Sequence, residues 1–199
     1  MKTYILSLGI ILNGFHSDSD CSNWHKGNIH LADETVVNGE IRYCLDHDIV
    51  MLKNEAQTLT LSPVKVEYFV IFDNSLNETR SFYTLPYKGL NGYIRKKFFE
   101  LLYHGKISLL NREEKMMIAN HQNFNNLSDP TEWVLVDKYY VLDEYGEVTY
   151  FSGNTKDLRN HMQRHANAIL TFIDDHQLDT SRREDLIAVL QYYNTLHNH

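Results

Sequence analysis

Residues 36–45, VVNGEIRYCL, carry the pattern on which the fold turns. Val37, Gly39, Ile41 and Tyr43 fall on one side of an extended chain, and Glu40, Arg42 and Cys44 fall on the other. That is the period of two expected of a half-buried strand. The neighbouring residues extend the pattern. Asn28 to Leu31 alternates in the same way, Asp46-His47-Asp48 has turn chemistry, Ile49 to Lys53 reads as a buried strand, and Thr58 to Leu61 reads as another. Val64 to Phe72 is the longest β run and ends at Asp73-Asn74-Ser75. Arg80 to Leu85 is expected to stop at Pro86, which has no N–H for a ladder. Closely spaced short strands without a helical period predict a small barrel or rolled sheet over residues 20–86.

Residues 87–199 change character after the link Pro86 to Tyr93. Phe98 to Tyr103 and Lys106 to Leu110 flank His104-Gly105, a pair suited to a hairpin turn. Residues 111–132 are polar, with Arg112 to Asn120 weakly helical and Asn123 to Pro130 a loop. Val134 to Leu142 and Glu147 to Phe151 predict a second hairpin. The period then becomes helical. Thr155 is placed to cap a helix with apolar Leu158, Met162, Ala166, Ile169, Leu170 and Ile173. Asp179 or Thr180 is placed to cap another, with Leu186, Val189, Leu190 and Tyr193. Two amphipathic helices need a partner surface for their apolar stripes. The expected class is therefore α+β: a β-rich N-terminal part, further hairpins and two C-terminal amphipathic helices.

The first residues, MKTYILSLGIILNGFHSDS, have the three parts of a secretory signal. Lys2 is followed by the apolar run Tyr4 to Leu12 and a small, polar exit. The run is shorter than the roughly 20 residues needed to span a bilayer. Ser17 and Ser19 supply small side chains for cleavage after Ser19, so residues 1–19 are read as a signal peptide. The competing reading is a buried first strand. A lipoprotein anchored at Cys21 fits less well, because Asp18-Ser19-Asp20 puts acids where apolar and small residues belong. The expected location is secreted or periplasmic, with no transmembrane segment in the mature chain. There Cys21 and Cys44 either pair or remain two thiols.

With 199 residues, 43% hydrophobic and 23% charged, the chain suits one compact domain or two small ones sharing a core. Removing residues 1–19 takes away one base and one acid, so the net charge of −7 is unchanged. An acidic chain lacks the basic face that nucleic acid requires. One stretch runs against this balance. From Thr79 to Phe99 the charges are Arg80, Lys88, Arg95, Lys96 and Lys97, with Tyr87, Tyr93 and Phe98 between them. Arg95, Lys96 and Lys97 are the candidate binding residues, for an envelope protein or an anionic glycan or lipid. The plainer reading of the stretch is a solvated basic loop.

Histidine chemistry supplies the alternative. His161 and His165 stand four apart on the predicted helix, the spacing of a zinc pair. Met162, Gln163 and Arg164 between them include no glutamate base, and a third ligand would have to come from His176, His197 or His199. Asp46-His47-Asp48 and Asp174-Asp175-His176 combine carboxylates with imidazole, but a turn and a helix end explain both. No nucleophile elbow, phosphate-cradling glycine loop or Cys-x-x-Cys occurs. No catalytic, cofactor or metal residue is assigned. The expected function is an exported, non-catalytic binding or structural component of the cell envelope. The alternative is a metal-dependent hydrolase using the His161/His165 pair.

The order of short motifs also carries a resemblance. Lys26-Gly27-Asn28-Ile29-His30-Leu31, Val37-Asn38-Gly39-Glu40-Ile41-Arg42-Tyr43 and Val66-Glu67-Tyr68-Phe69 come first. Phe99-Glu100-Leu101-Leu102 with Gly105-Lys106-Ile107-Ser108-Leu109 follows, and then Tyr139-Tyr140-Val141-Leu142, Lys156-Asp157-Leu158 and Tyr192-Tyr193-Asn194. This succession resembles a group of uncharacterised secreted proteins of Bacteroidetes. The resemblance implies export, a β-rich N-terminal part and helices at the end. It brings no functional residue, because its motifs are apolar and turn residues.

Overall fold

A computed structural model describes residues 21–89, 91–119 and 131–196. The expected signal peptide, the Asn123 to Pro130 loop, His197 and His199 lie outside the described residues. Strands β1 (His25–Leu31), β2 (Val36–Cys44), β3 (Ile49–Lys53) and β4 (Thr58–Leu61) form one antiparallel meander. Strands β5 (Val66–Asp73), β6 (Glu78–Lys88), β7 (Ile94–Tyr103), β8 (Ser108–Ala119), β9 (Thr131–Leu142) and β10 (Val148–Tyr150) form a second. Pairing of β1 with β5 joins the two into one sheet of order β10-β9-β8-β7-β6-β5-β1-β2-β3-β4. Helices α1 (Thr155–Met162), α2 (Ala166–His176) and α3 (Arg183–Thr195) follow. The chain is α+β, β-rich with helices at its C-terminal end, as its periodicity predicts.

The first five strands must roll. In a flat sheet β4 and β5 would stand four interstrand spacings apart, roughly 19 Å. The connection from Leu61 to Val66 reaches at most about 18 Å even when straight. Curling brings the ends together and encloses Ile29, Ile41, Val50, Leu52 and Phe69, all fully buried. Tyr43, Phe69, Phe82 and Phe98 interlock inside the roll. Phe69 stacks on Phe82 at 4.7 Å between centroids, and Phe98 stands edge-on to Phe69 at 5.2 Å. Such pairs add about 0.5–1.5 kcal/mol each beyond area burial. Gly27 lies where β1 crosses closest to β5, and a Cβ there would run into the Val70 carbonyl oxygen.

The helices cover the other end of the sheet. Leu158, Met162, Ile169, Leu186, Val189 and Leu190 pack with Leu109, Val141 and Phe151. Asn154, one residue before the expected Thr155, caps α1 by accepting from the Asp157 N–H at 2.9 Å. Helix α3 starts at Arg183 without a side-chain cap. Asp179 instead takes the Ser181 N–H and hydroxyl, at 3.0 and 2.6 Å. Asn194 fastens α3 to the β7–β8 hairpin, accepting from the Ile107 N–H and donating to the Ile107 and Leu190 carbonyls, each at 2.7–3.2 Å.

Two expectations are corrected. The expected helix over Arg112 to Asn120 is not found in its described residues, because residues 112–119 belong to β8 and pair with β9 as far as Ala119↔Thr131. Cross-strand pairing overrides the weak helical pattern of residues whose two faces are both mixed in polarity. Strand β6 also does not stop at Pro86, which pairs opposite Lys96. The β5–β6 register ends at Tyr68↔Tyr83, so the missing N–H of Pro86 lies at an edge that β5 no longer occupies. The division between 86 and 87 falls inside this strand.

Cys21 and Cys44 form a disulfide, the pairing alternative left open by the sequence. It closes a loop of 23 residues in sequence separation, for which the chain-entropy model gives about 3 kcal/mol. Replacing both cysteines by alanine should lower unfolding stability in urea by that amount. Gly27→Ala, which must displace backbone of the neighbouring strand, should cost a comparable or larger amount in the same measurement.

Candidate functional site

The candidate site forms where β7 and β8 part. Their register ends at Glu100↔Asn111, after which β8 continues with β9 alone as a two-stranded arm. Strand β7 remains paired with β6 back to Ile94. Its far edge would leave the Phe98 N–H and C=O without a ladder partner. Arg112 and Asp48 fill that place. Arg112 Nη1 donates to the Phe98 carbonyl at 2.9 Å, and the Phe98 N–H donates to Asp48 Oδ1 at 3.3 Å. The two side chains also pair with each other at 2.9 Å. Asp48 comes from the β2–β3 turn, where it adopts φ 51°, a conformation Asp tolerates. Burial pushes the Tyr43 phenol up, so it stays protonated and donates to Asp48 at 3.1 Å.

On one side of this junction lies a cavity of about 470 Å³. Arg80 occupies its floor in a bidentate pair with Glu100, at 2.8 and 2.9 Å. Glu113 and Asp73 also reach Arg80, at 3.1 and 3.5 Å. Arg183 of α3 joins Glu100 at 3.4 Å, and Asn111 Nδ2 donates to Glu100 and Asp137. Burial opposes the Arg80 charge, but Glu100 and then Glu113 outweigh it and raise the pKa. Burial likewise opposes the charge of Asp73, yet hydrogen bonds from Ser75 and Leu76 hold its carboxyl below the usual range. Tyr43, Leu45, Phe82, Phe98 and Leu135 supply the apolar walls.

On another face, beside β10, lies a groove of about 580 Å³. Arg95 and Lys97 both line it, together with Lys138, Tyr87, Tyr140 and Tyr150. Lys96 does not, because alternate strand residues point to opposite faces. Of the three candidate binding residues, the fold therefore brings two together. Arg95 and Lys97 form no salt bridge among the described residues, whereas Lys138 pairs with Glu114 at 2.5 Å. Burial, and then the nearby Arg112 guanidinium, lower the Lys97 pKa. Its ammonium stands 5.9 Å from the Tyr87 ring centroid. Tyr93, 70% exposed, lies at the rim. The Tyr residues were visible as composition, but nothing local in the sequence joined Tyr140 and Tyr150 to Arg95, because β9 and β10 reach the groove only through the antiparallel order.

His161 and His165 do not form the expected pair on one helix. Gln163 takes φ 44°, and a 3₁₀ turn, Gln163–His165, separates α1 from α2. Both histidines line one shallow surface cleft. His161 packs edge-on against Phe151 at 5.5 Å, and His165 Nε2 accepts from Arg164 at 2.9 Å. Among the described residues, no group of three or more His, Cys, Asp or Glu is placed to hold a metal ion. Asp46 pairs with Lys115 at 3.7 Å, and His176 contacts the Phe172 carbonyl at 2.9 Å. The Asp46-His47-Asp48 turn matters through Asp48 as a structural anchor, a role its sequence alone could not distinguish from an ordinary turn.

Two measurements check this account. Asp48→Ala leaves Arg112 without its carboxylate and should cost roughly 3 kcal/mol in urea unfolding. Burial lowers the His161 pKa against the opposing pull of Asp157 and Asp143. The stability linked to His161 is therefore complete above its unfolded pKa of about 6.5 and is lost as pH falls through the lower folded value. An NMR titration should place the His161 midpoint below that of free histidine. Comparison with known proteins returned no matching family model, no similar curated protein and no similar solved structure.

Proposed function

We propose that the chain is an exported, non-catalytic binding module of the cell envelope that holds an anionic glycan in the tyrosine groove. The observation that carries this reading is the convergence of Arg95 and Lys97 with Tyr87, Tyr140 and Tyr150 on one concave surface. Tyrosine rings offer flat apolar faces with a polar edge, suited to sugar rings. Neither base is in a salt bridge among the described residues, and Glu114, which also lines the groove, is engaged by Lys138, so both are placed to receive the acidic groups of the polymer. Tyr87 and Tyr140 are held edge-to-face at 5.4 Å, and Tyr140 and Tyr150 at 5.7 Å, so the surface is largely set before binding. Export is supported by the Cys21–Cys44 bridge, which suits an oxidising compartment. It is also the expectation from residues 1–19. No described helix is long and apolar enough to cross a membrane.

Affinity electrophoresis of the full chain through gels containing polygalacturonate, with dextran as the neutral control, tests the reading. Retardation is expected in polygalacturonate alone and should weaken with salt. The double variant Arg95→Ala/Lys97→Ala should lose about tenfold or more in affinity, in line with two charge-assisted contacts. Lys96→Ala, on the opposite face, should leave binding unchanged. Equal binding to dextran, or binding only to anionic lipid vesicles, would refute the glycan assignment.

A further inference from the structure

The cavity on the other side of the β7–β8 junction has chemistry of its own, independent of the tyrosine groove. Its three carboxylates, Asp73, Glu100 and Glu113, all converge on Arg80, whose Nε, Nη1 and Nη2 are each engaged by them. Arg112 is different. It is 9% exposed, and Nη1 carries all of its hydrogen bonds, to Tyr43, Asp48 and the Phe98 carbonyl. Nε and Nη2 hold no hydrogen bond among the described residues. Those two groups form the edge of a guanidinium that receives a carboxylate side-on, as the Nε and Nη2 of Arg80 receive Glu100. Two more polar atoms of lining residues, His25 Nδ1 and Asn111 Oδ1, are buried without a hydrogen-bond partner among the described residues. Such atoms are uncommon in a folded core and mark the cavity as more than packing.

We infer that this cavity is a second binding site, for a small monocarboxylate with an apolar or aromatic body, its carboxylate on the Nε/Nη2 edge of Arg112 and its body against Phe82, Phe98 and Leu135. A single negative charge suits the cavity because Asp73, Glu100 and Glu113 would repel a second. A volume of about 470 Å³ lies within the usual range for small-molecule sites. The disulfide-linked segment contributes Cys21 and Ser22 to the rim, and the Ser22 carbonyl accepts from Arg42 Nε at 3.0 Å.

Isothermal titration of the oxidised full chain with phenylacetate and indoleacetate, set against phenylacetamide, tests the inference. The carboxylates should bind, and the amide should bind at least about tenfold more weakly, since it forfeits a charge-assisted bidentate contact. Arg112→Lys keeps the charge beside Asp48 but loses the fork, and should weaken the carboxylates by a similar factor. If that variant misfolds, Leu135→Trp carries the test, because it fills the cavity from the exposed arm and leaves Arg112 in place. It too should reduce binding. Absence of carboxylate binding at millimolar concentration, equal binding of the amide, or unchanged binding in a folded Arg112→Lys or Leu135→Trp protein would overturn the site. Loss of binding in Arg95→Ala/Lys97→Ala instead would move the ligand to the groove and overturn it as well.

Discussion

The guanidinium of Arg112 closes a fault in the sheet. Where β8 departs from β7 to run with β9, the freed edge of β7 would expose backbone groups in the middle of a structure that must stay closed. Arg112 from one side and Asp48 from the other take those groups, and their mutual ion pair ties the β2–β3 turn to the start of the arm. With the Asp46–Lys115 pair at 3.7 Å, it joins the roll of β1–β5 to the arm of β8–β9. Both concave surfaces described above border that junction, and Arg112 contributes to the cavity and, through its field, to the state of Lys97.

A second buried charge cluster works across layers. Glu100, 1% exposed, receives Arg80 from β6, Arg183 from α3 and Asn111 from β8. Burying such a carboxylate is costly unless several donors compensate it, and a hydrophobic replacement of the whole group could be as stable. Through Arg183 the cluster also links α3 to β7. Farther along the same helix, Asn194 bonds the Ile107 backbone as a neighbouring strand would. Gly105 makes room for this, since a Cβ there would meet the Asn194 side chain at 2.7 Å.

Much of the strand framework was legible because it depends on short-range alternation. Val36 to Cys44, Ile49 to Lys53 and Thr58 to Leu61 are strands with those bounds or nearly so, and the helical stripe from Leu158 to Ile173 packs on the core as its period indicates, with Leu170 and Ile173 partly buried. The β9 half of the long arm was legible from Val134 onward, but residues 112–119 of β8 were not. Those residues carry charge and methionine on both faces, so no face is marked as inward, and their strand character comes from their partner. The interior charges were opaque for a related reason. Arg80, Glu100, Arg112 and Asp48 lie far apart in sequence, and each looks like an ordinary surface residue until the strand order is known. The groove was half legible: the bases at 95–97 were plain together with Tyr87 and Tyr93, but alternation divides the bases, and Tyr140 and Tyr150 come from β9 and β10.

The β1–β5 seam bears on how the chain acquires this structure. Every other pairing in the described sheet joins consecutive strands, which a chain can form as successive hairpins. Among the described strand pairings only the β1–β5 ladder, from Lys26↔Phe72 to Leu31↔Val66, joins strands that are not consecutive, and it lies near the centre of the sheet. Loop closure must be met before that contact can reward it, so the seam belongs to the slow, high-contact-order part of folding. During synthesis β1 emerges first, yet one of its edges stays open until β5 has been made. The disulfide from Cys21 to Cys44 lies within the earlier meander. Once formed, it ties the residues just before β1 to the end of β2.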